Sequence, residues 1–316
     1  MGVIQLSHTA VQKYLASPKA YYFHYIRRIR EENIGSALPF GNALDLAFNE
    51  LLVPTGKDPY KIFERQWTKQ DINGKKVDLR TYDKIKYSKS DYFDTFFDES
   101  DEKLLENCNK NWVSLRKKGF MMLDAFKAQI LPHLSEIIAV QKYIKLPSED
   151  GHRYIGYIDY IAKFKVNPEA ENYEDIKHLE KYNDKVVLFD NKTSSIKYKT
   201  EQAAESEQLA GYYEAVSEEY NIDLVGYTVI HKNFRKRKKP FVPVQFILNE
   251  VREEILESTF DGIEKALEGI KMGEFPCNAP ACDMPWGKCC YSKLCKEGSL
   301  EGLIELPTSR KGNGNA

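Results

Sequence analysis

The stretch Lys185-Val186-Val187-Leu188-Phe189-Asp190-Asn191-Lys192-Thr193 most constrains what this chain can become. An apolar run with two β-branched residues ends abruptly in a carboxylate, and a lysine follows two positions later. Such a run predicts a buried strand. Successive side chains on a strand point to opposite faces, so Asp190 and Lys192 should project side by side from its end. A metal ligand then stands beside a cation where the strand meets solvent, within reach of a phosphate ester.

Length and charge narrow the function. At 316 residues and 42% hydrophobic content the chain can bury a core of its own. With 46 Lys+Arg against 47 Asp+Glu the formal net charge is -1, so bulk attraction to nucleic acid is not indicated and any basic site must be local. No apolar stretch approaches membrane-spanning length, and the N-terminus lacks the cationic-then-apolar order of a secretory signal, which makes the cytoplasm the expected location. Five of the six cysteines crowd between Cys277 and Cys295 rather than spreading as a disulfide framework would.

Along the chain, Ser7 can cap a helix through Tyr14, and Ser17-Pro18 starts a second helix rich in aromatics. A third is expected from Gly41 to Leu52, with Ala43, Leu44, Ala47, Phe48 and Leu51 on its apolar face. Asp45 lies one turn beyond Gly41. By pattern alone it is a solvated edge residue; if the glycine marks a close backbone approach, Asp45 instead faces an active-site strand. The polar stretch 69–100 is expected to be a loop, lid or insertion, and 101–131 a packing helix.

The period then changes. Residues 137–146 and 154–161 should form two paired strands across the turn at Asp150-Gly151. Asp159 interrupts the second run, and because a buried carboxylate without a partner is costly, a cation or a solvent-filled cleft should meet it. Residues 167–184 are expected to be an insertion. Beyond Lys192 a helix should run from near Thr200 to about Tyr220, placing Gln208 and Tyr212 on one face. Strands at 224–230 and 242–248 then flank a basic cluster containing Lys232, Arg235, Lys236, Arg237, Lys238 and Lys239. That cluster suits a solvated turn, a nuclear-import signal or a contact to a phosphate backbone. Asn249 could cap the last helix, to about Met272, and the end of the chain is expected to fray.

Taken together, Gly156-Tyr157-Ile158-Asp159, Asp190-Asn191-Lys192-Thr193 and Gln208-Leu209-Ala210-Gly211-Tyr212 resemble the PD-(D/E)XK nucleases, specifically the RecB-like exonuclease branch common in bacteriophages and related to iron-sulfur CRISPR-associated exonucleases. Ser17-Pro18-Lys19-Ala20-Tyr21-Tyr22 is similar to that branch's Cys-Pro-x-x-Tyr-Tyr start, and Gly41-Asn42-Ala43-Leu44-Asp45 to its Gly-x-x-x-His helix. The resemblance spans nearly the whole chain and implies a restriction-endonuclease-like α/β core, a central mixed β-sheet flanked by helices. One nuclease domain would cover 1–296: a mostly helical part to 135, a catalytic sheet core over 136–250, and a C-terminal helix with a cysteine-containing lobe over 251–296. Residues 297–316 would be a flexible tail. The implied activity is metal-dependent DNA cleavage, exonucleolytic, in phage-type recombination or DNA processing in the host cytoplasm. DNA and a single-strand-annealing or recombination protein are the implied partners. A structure-specific endonuclease with the same site and a non-catalytic nucleic-acid-binding relative are the alternatives, the latter opposed by intact Asp159, Asp190 and Lys192.

By that resemblance Asp159 and Asp190 hold Mg2+ or Mn2+, hard cations that prefer oxygen ligands. The Asn191 backbone carbonyl would complete the shell, and Lys192 would orient or deprotonate the attacking water, its pKa lowered by the metal and by low-dielectric surroundings. Asp45 stands where the branch has histidine and adds a third carboxylate. Gln208 and Tyr212 would line the cleft, contacting DNA phosphates or supporting the metal-binding strand, with ordinary helix packing as their alternative. Relatives with a [4Fe-4S] cluster use one N-terminal cysteine, and here Ser17 takes its place. Cys277, Cys282, Cys289 or Cys290, and Cys295 would then supply an iron-sulfur or zinc site from one loop, or are reduced thiols left from an ancestral cluster. Cys108 is expected to pack in the core.

Overall fold

The computed structural model describes residues 3–92, 97–148, 151–233, 241–278, 280, 283–284 and 287–307. Six strands form the central sheet: β1 (Gln5–Ser7), β2 (Leu134–Pro147), β3 (Arg153–Phe164), β4 (Val186–Ser194), β5 (Leu224–His231) and β6 (Val244–Asn249). β4 and β5 run parallel in unbroken register from Leu224↔Val187 to His231↔Ser194, and β6 lies antiparallel outside β5. The helices that position the site are α1 (His8–Ala16), α2 (Ala37–Leu52), α3 (Pro59–Thr68), α4 (Lys110–Gln129), α5 (Glu207–Tyr220) and α6 (Glu253–Met272).

Alternation along β4 divides the interior into two cores. Val187 and Phe189 pack with residues of α2, α3 and α4, whereas Leu188 joins residues of α1, α5 and α6 on the opposite face. A strand covered on both faces must be apolar at every position, which is why the organising run lacks polar residues until Asp190. In the first core the fully buried Trp67 and Trp112 each donate an indole N–H to the other's carbonyl, at 3.1 and 3.0 Å. The exchange satisfies two donors that would otherwise be stranded and ties α3 to α4.

β3 sets up the site by the way its edges are used. One edge pairs with β2 from Leu134↔Phe164 to Pro147↔Arg153. The other edge is divided: parallel β1 takes Arg153 to Ile155, and antiparallel β4 takes Tyr160 to Lys163. Gly156 to Asp159 fall between these two partners, so β3 and β4 part just beyond the Tyr160↔Phe189 pair.

The class is therefore mixed α/β, a central mixed sheet flanked by helices. Several boundaries differ from expectation. β1 precedes the first helix, and the second core's Leu6 explains it by being fully buried. The polar stretch 69–100 is not a bare loop: Lys69–Ile72 and Lys75–Asp78 form a hairpin, and Ile72, Leu79 and Ile85 are buried in the first core. The 101–131 helix is two, Glu99–Leu105 and α4. α5 begins at Glu207 and is capped by Ser206, not Thr200. Asn249 closes β6, and α6 starts later, with Arg252 at its N-cap. The expected tail is held as far as Pro307: Leu303–Glu305 pair with Ile29–Glu31, Glu305 bonds Arg27, and Arg28 donates to the Pro307 carbonyl at 2.8 Å. Residues 308–316 lie outside the described residues. Among the described residues no helix is long and apolar enough to cross a membrane.

Candidate active site

Where β3 and β4 part, Asp159 and Asp190 face the gap. The ladder between the strands ends, and the Asp159 side chain takes over its role: Oδ2 accepts the Asn191 backbone N–H at 2.7 Å. Asp190 is 5% exposed, while Asp159, Asp45, Lys192 and Gln208 keep partial access to solvent around it. Asp190 and Lys192 share the α5 face of β4, as the two-residue period requires. Lys192 Nζ lies 2.5 Å from Asp190 Oδ2 and donates to Gln208 Oε1 at 3.4 Å. Gln208 Nε2 in turn donates to Asp190 Oδ1 at 3.2 Å and lies 3.1 Å from the Tyr212 hydroxyl. The i, i+4 spacing on α5 thus delivers both side chains to one carboxylate-lysine pair.

Close packing brings α5 to β3. A Cβ on Gly156 would stand 2.6 Å from Tyr212 Cε1, and one on Gly211 would stand 3.0 Å from the Tyr154 ring, so glycine at each position lets helix and strand approach. Ser206 fixes the start of α5 by accepting Leu209 N–H at 3.2 Å, and Tyr227 on β5 donates to the same Ser206 oxygen at 2.6 Å. The Tyr227 ring also lies 5.5 Å from Lys192 Nζ. Several elements therefore hold the ammonium in place.

Asp45 arrives from α2. Its pKa is raised to about 6 by burial and then by the Asp190 charge, against hydrogen bonds from Asn49 and Gln141. Burial, followed by the Asp190 and Asp45 charges, raises Asp159 well above the ordinary carboxylate range. Asp190 is also raised by burial, with Lys192 opposing. Three carboxylates within charge reach of one another favour a bound cation. Gly41 plays no part in this: a Cβ there would meet nothing within 4 Å, so the glycine does not mark a close backbone approach, and α2 places Asp45 without it.

At Lys192, burial pulls the pKa down, but the Asp190 charge and hydrogen bond, with Tyr227 and Asp159 adding, outweigh burial and hold it above its ordinary value.

A divalent cation fits the donor set. Asp45 Oδ1 is buried with no hydrogen-bond partner, and Asp190 Oδ2 is engaged by the Lys192 ammonium at 2.5 Å. Among the described residues no three His, Cys, Asp or Glu side chains converge on one point closely enough to hold a metal ion. A shell built here therefore needs backbone oxygen or water besides the carboxylates, and Asp45 acts on the pair through charge.

Two contributors carry no motif. Gln141 on β2 adopts φ 51°, a left-handed conformation that costs a non-glycine residue about 1–2 kcal/mol, and its amide donates to Asp45 Oδ2 at 3.3 Å and Asn49 Oδ1 at 3.4 Å. Strain here accompanies a clamp on the third carboxylate. His8 opens α1, and its pKa is lowered by burial and then by the Lys192 charge, which places it beside the lysine. The cap at Ser7 was its one sequence signal.

Of the remaining expected sites, Lys232, Cys277, Cys289, Cys290 and Cys295 are described. Lys232 is buried, with Nζ 5.1 Å from the Phe40 ring, and burial lowers its pKa against the Asp91 charge, so it is not an exposed DNA contact. Arg235, Lys236, Arg237, Lys238 and Lys239 lie outside the described residues, as does Cys282. Cys277 and Cys295 have their sulfurs 3.0 Å apart. The hydrogen bond between Cys289 and Cys290 lowers the pKa of Cys289 and raises that of Cys290. Ser17 Oγ caps the helical turn Pro18–Tyr21 by accepting Ala20 N–H at 3.2 Å. Two thiolates on one tetrahedral zinc sit about 3.8 Å apart, given a bond of about 2.3 Å. Cys277 and Cys295 stand closer than that to each other. Cys108 packs half-buried against the first core, and burial raises its pKa.

No protein-family model and no curated protein matches the sequence. Among solved structures, the chain is similar to a "Putative exonuclease" from Eubacterium rectale, at 11% identity and a TM-score of 0.45, covering 93% of this chain and 94% of that one. It is also similar to SSO0001, at 15% identity and a TM-score of 0.31, covering 63% and 78%. With both TM-scores below 0.5, the case for function rests on the chain's own residues.

Proposed function

We propose that the protein is a metal-dependent deoxyribonuclease that hydrolyses phosphodiester bonds exonucleolytically. The observation that carries the reading is the parting of β3 and β4 at Asp159 and Asp190, with Lys192 held between Asp190 and Gln208. Asp159, Asp190 and the Asn191 carbonyl would hold Mg2+ or Mn2+, with Asp45 adding charge. Bound there, the cation would supply Lewis-acid stabilisation of charge developing on the phosphate and lower the pKa of an attacking water.

The chain's own side chains do the rest. Lys192, as an ammonium, can donate hydrogen bonds to the water or to a non-bridging phosphate oxygen. Gln208 and Tyr212 keep it and Asp190 in one geometry, which serves orientation rather than proton transfer. Asp159, by bonding Asn191 N–H, keeps β3 and β4 in register at the mouth of the gap. The wider reading is action in phage-type recombination or DNA processing in the host cytoplasm, beside a single-strand-annealing or recombination protein.

End-labelled linear DNA and closed circular DNA, each incubated with Mg2+, test the proposal. Degradation of the linear substrate alone is expected. Cutting of circles would move the site to a structure-specific endonuclease, and no cutting of either would refute the nuclease reading.

A further inference from the structure

Next to Asp159 the sheet carries two exposed aromatic rings. Tyr143 on β2 pairs with Tyr157 on β3, their ring centroids 5.0 Å apart and their planes at 50°. They are 44% and 56% exposed. Tyr157 is two residues from Asp159 along β3, which puts their Cα atoms about 7 Å apart. On β2, Tyr143 is likewise two residues from Gln141, which clamps Asp45. Lys145 is two residues beyond Tyr143, exposed and paired with Ile155. Carboxylate, aromatic pair and lysine therefore follow one another across the sheet.

A cross-strand aromatic pair stabilises a sheet most when it is covered, and α2 covers the sheet at Asp45 and Gln141 but leaves both tyrosine rings in water. Exposed rings beside a phosphodiester site have a use in stacking nucleobases, which is tolerant of sequence because every base has a π-face. Bases inside a duplex are already stacked on each other, so only an unpaired base can present a free face.

We propose that Tyr143 and Tyr157 form a platform for an unpaired nucleobase of the strand whose backbone enters the gap between β3 and β4, with Lys145 contacting a neighbouring phosphate. The proposal rests on the deoxyribonuclease reading and adds that the preferred substrate is a single strand or an unpaired end.

The test uses the Asp190→Asn protein with Mg2+ and a short fluorescein-labelled oligothymidylate, binding being read by anisotropy and folding by melting temperature. Tyr157→Ala should weaken binding on the order of tenfold, and Tyr157→Phe, which keeps the ring, should retain it. Replacing bases by abasic sugars should weaken binding to the tyrosine protein and leave the Tyr157→Ala protein indifferent. If Tyr157→Ala and Tyr143→Ala bind as before and abasic sugars are tolerated, the platform is overturned. If the wild-type protein cleaves duplex DNA but the oligothymidylate does not bind, the platform alone falls; if DNA is neither bound nor cut, the deoxyribonuclease reading falls with it.

Discussion

The gap between β3 and β4 and the C-terminal cysteine lobe both carry residue types that bind metals, yet they hold them in opposite ways. In the gap, Asp45, Asp159, Asp190, Lys192 and Gln208 come from four separate elements, and the buried Asp45 Oδ1 lacks a hydrogen-bond partner. In the lobe, neighbouring cysteines come from one stretch and satisfy each other, Cys277 against Cys295 and Cys289 against Cys290. Ligand types crowded in sequence are therefore a weaker signal than distant groups converging on unmet polar atoms.

The contrast can be broken at either end. Chelation should abolish cleavage, and added Mg2+ or Mn2+ should restore it. Lys192→Ala should lower the cleavage rate by about 10²- to 10³-fold, the range for losing one preorganised donor, and Asp190→Asn by at least as much. Both should still shift DNA in a gel, and cleavage retained by Asp190→Asn would remove the gap from the mechanism.

Smaller effects sharpen the comparison. Gly156→Ala puts a methyl 2.6 Å from the Tyr212 ring, and overpacking of that kind should destabilise the protein by about 1–3 kcal/mol in a denaturant titration while loosening Gln208. His24, which lies 2.9 Å from the Tyr291 hydroxyl in the lobe, has its pKa lowered from 6.5 to about 4 by burial, then by the Arg30 and Lys13 charges. The unfolded chain takes up a proton near pH 6.5 that the folded chain refuses until about pH 4, so stability should fall across that window as pH decreases. Thermal melts against pH should show this slope, reduced in His24→Gln. The smallest change is expected for Cys277→Ser, an exposed position where stability should move within about 0.5 kcal/mol. Iron or zinc in stoichiometric amounts in anaerobically purified protein would erase the contrast from the lobe's side.

Short-range periodicity made part of this site legible. Asp190 and Lys192 on one face follow from the two-residue period of β4, and Gln208 with Tyr212 from the helical i, i+4 period of α5. The order of strands and helices followed from the change of period at residue 137 onward. What depended on contacts between distant segments was not legible. The division of β3's edge between β1 and β4 is set by pairing across the molecule, and Gln141's left-handed backbone has no composition signal. Lys232 sits in a basic run that suits water, but Phe40 and Asp91 draw it inside. The balance at Lys192 was likewise not legible, because burial and an adjacent carboxylate push in opposite directions and only their distance decides.

The divided edge of β3 also orders events in time. Gln5 to Ser7 pair with Arg153 to Ile155, and Tyr160 waits for Phe189. During synthesis α1 and α2 emerge long before either partner strand exists, so Asp45 is made early and stays without its fellow carboxylates. Such distant pairing slows folding relative to a helical bundle of the same size, since each loop must close before its contacts form. The proposed cleaving centre is thus assembled late, and on that reading a nascent chain that has not yet reached Lys192 has nothing with which to cut the nucleic acid around it.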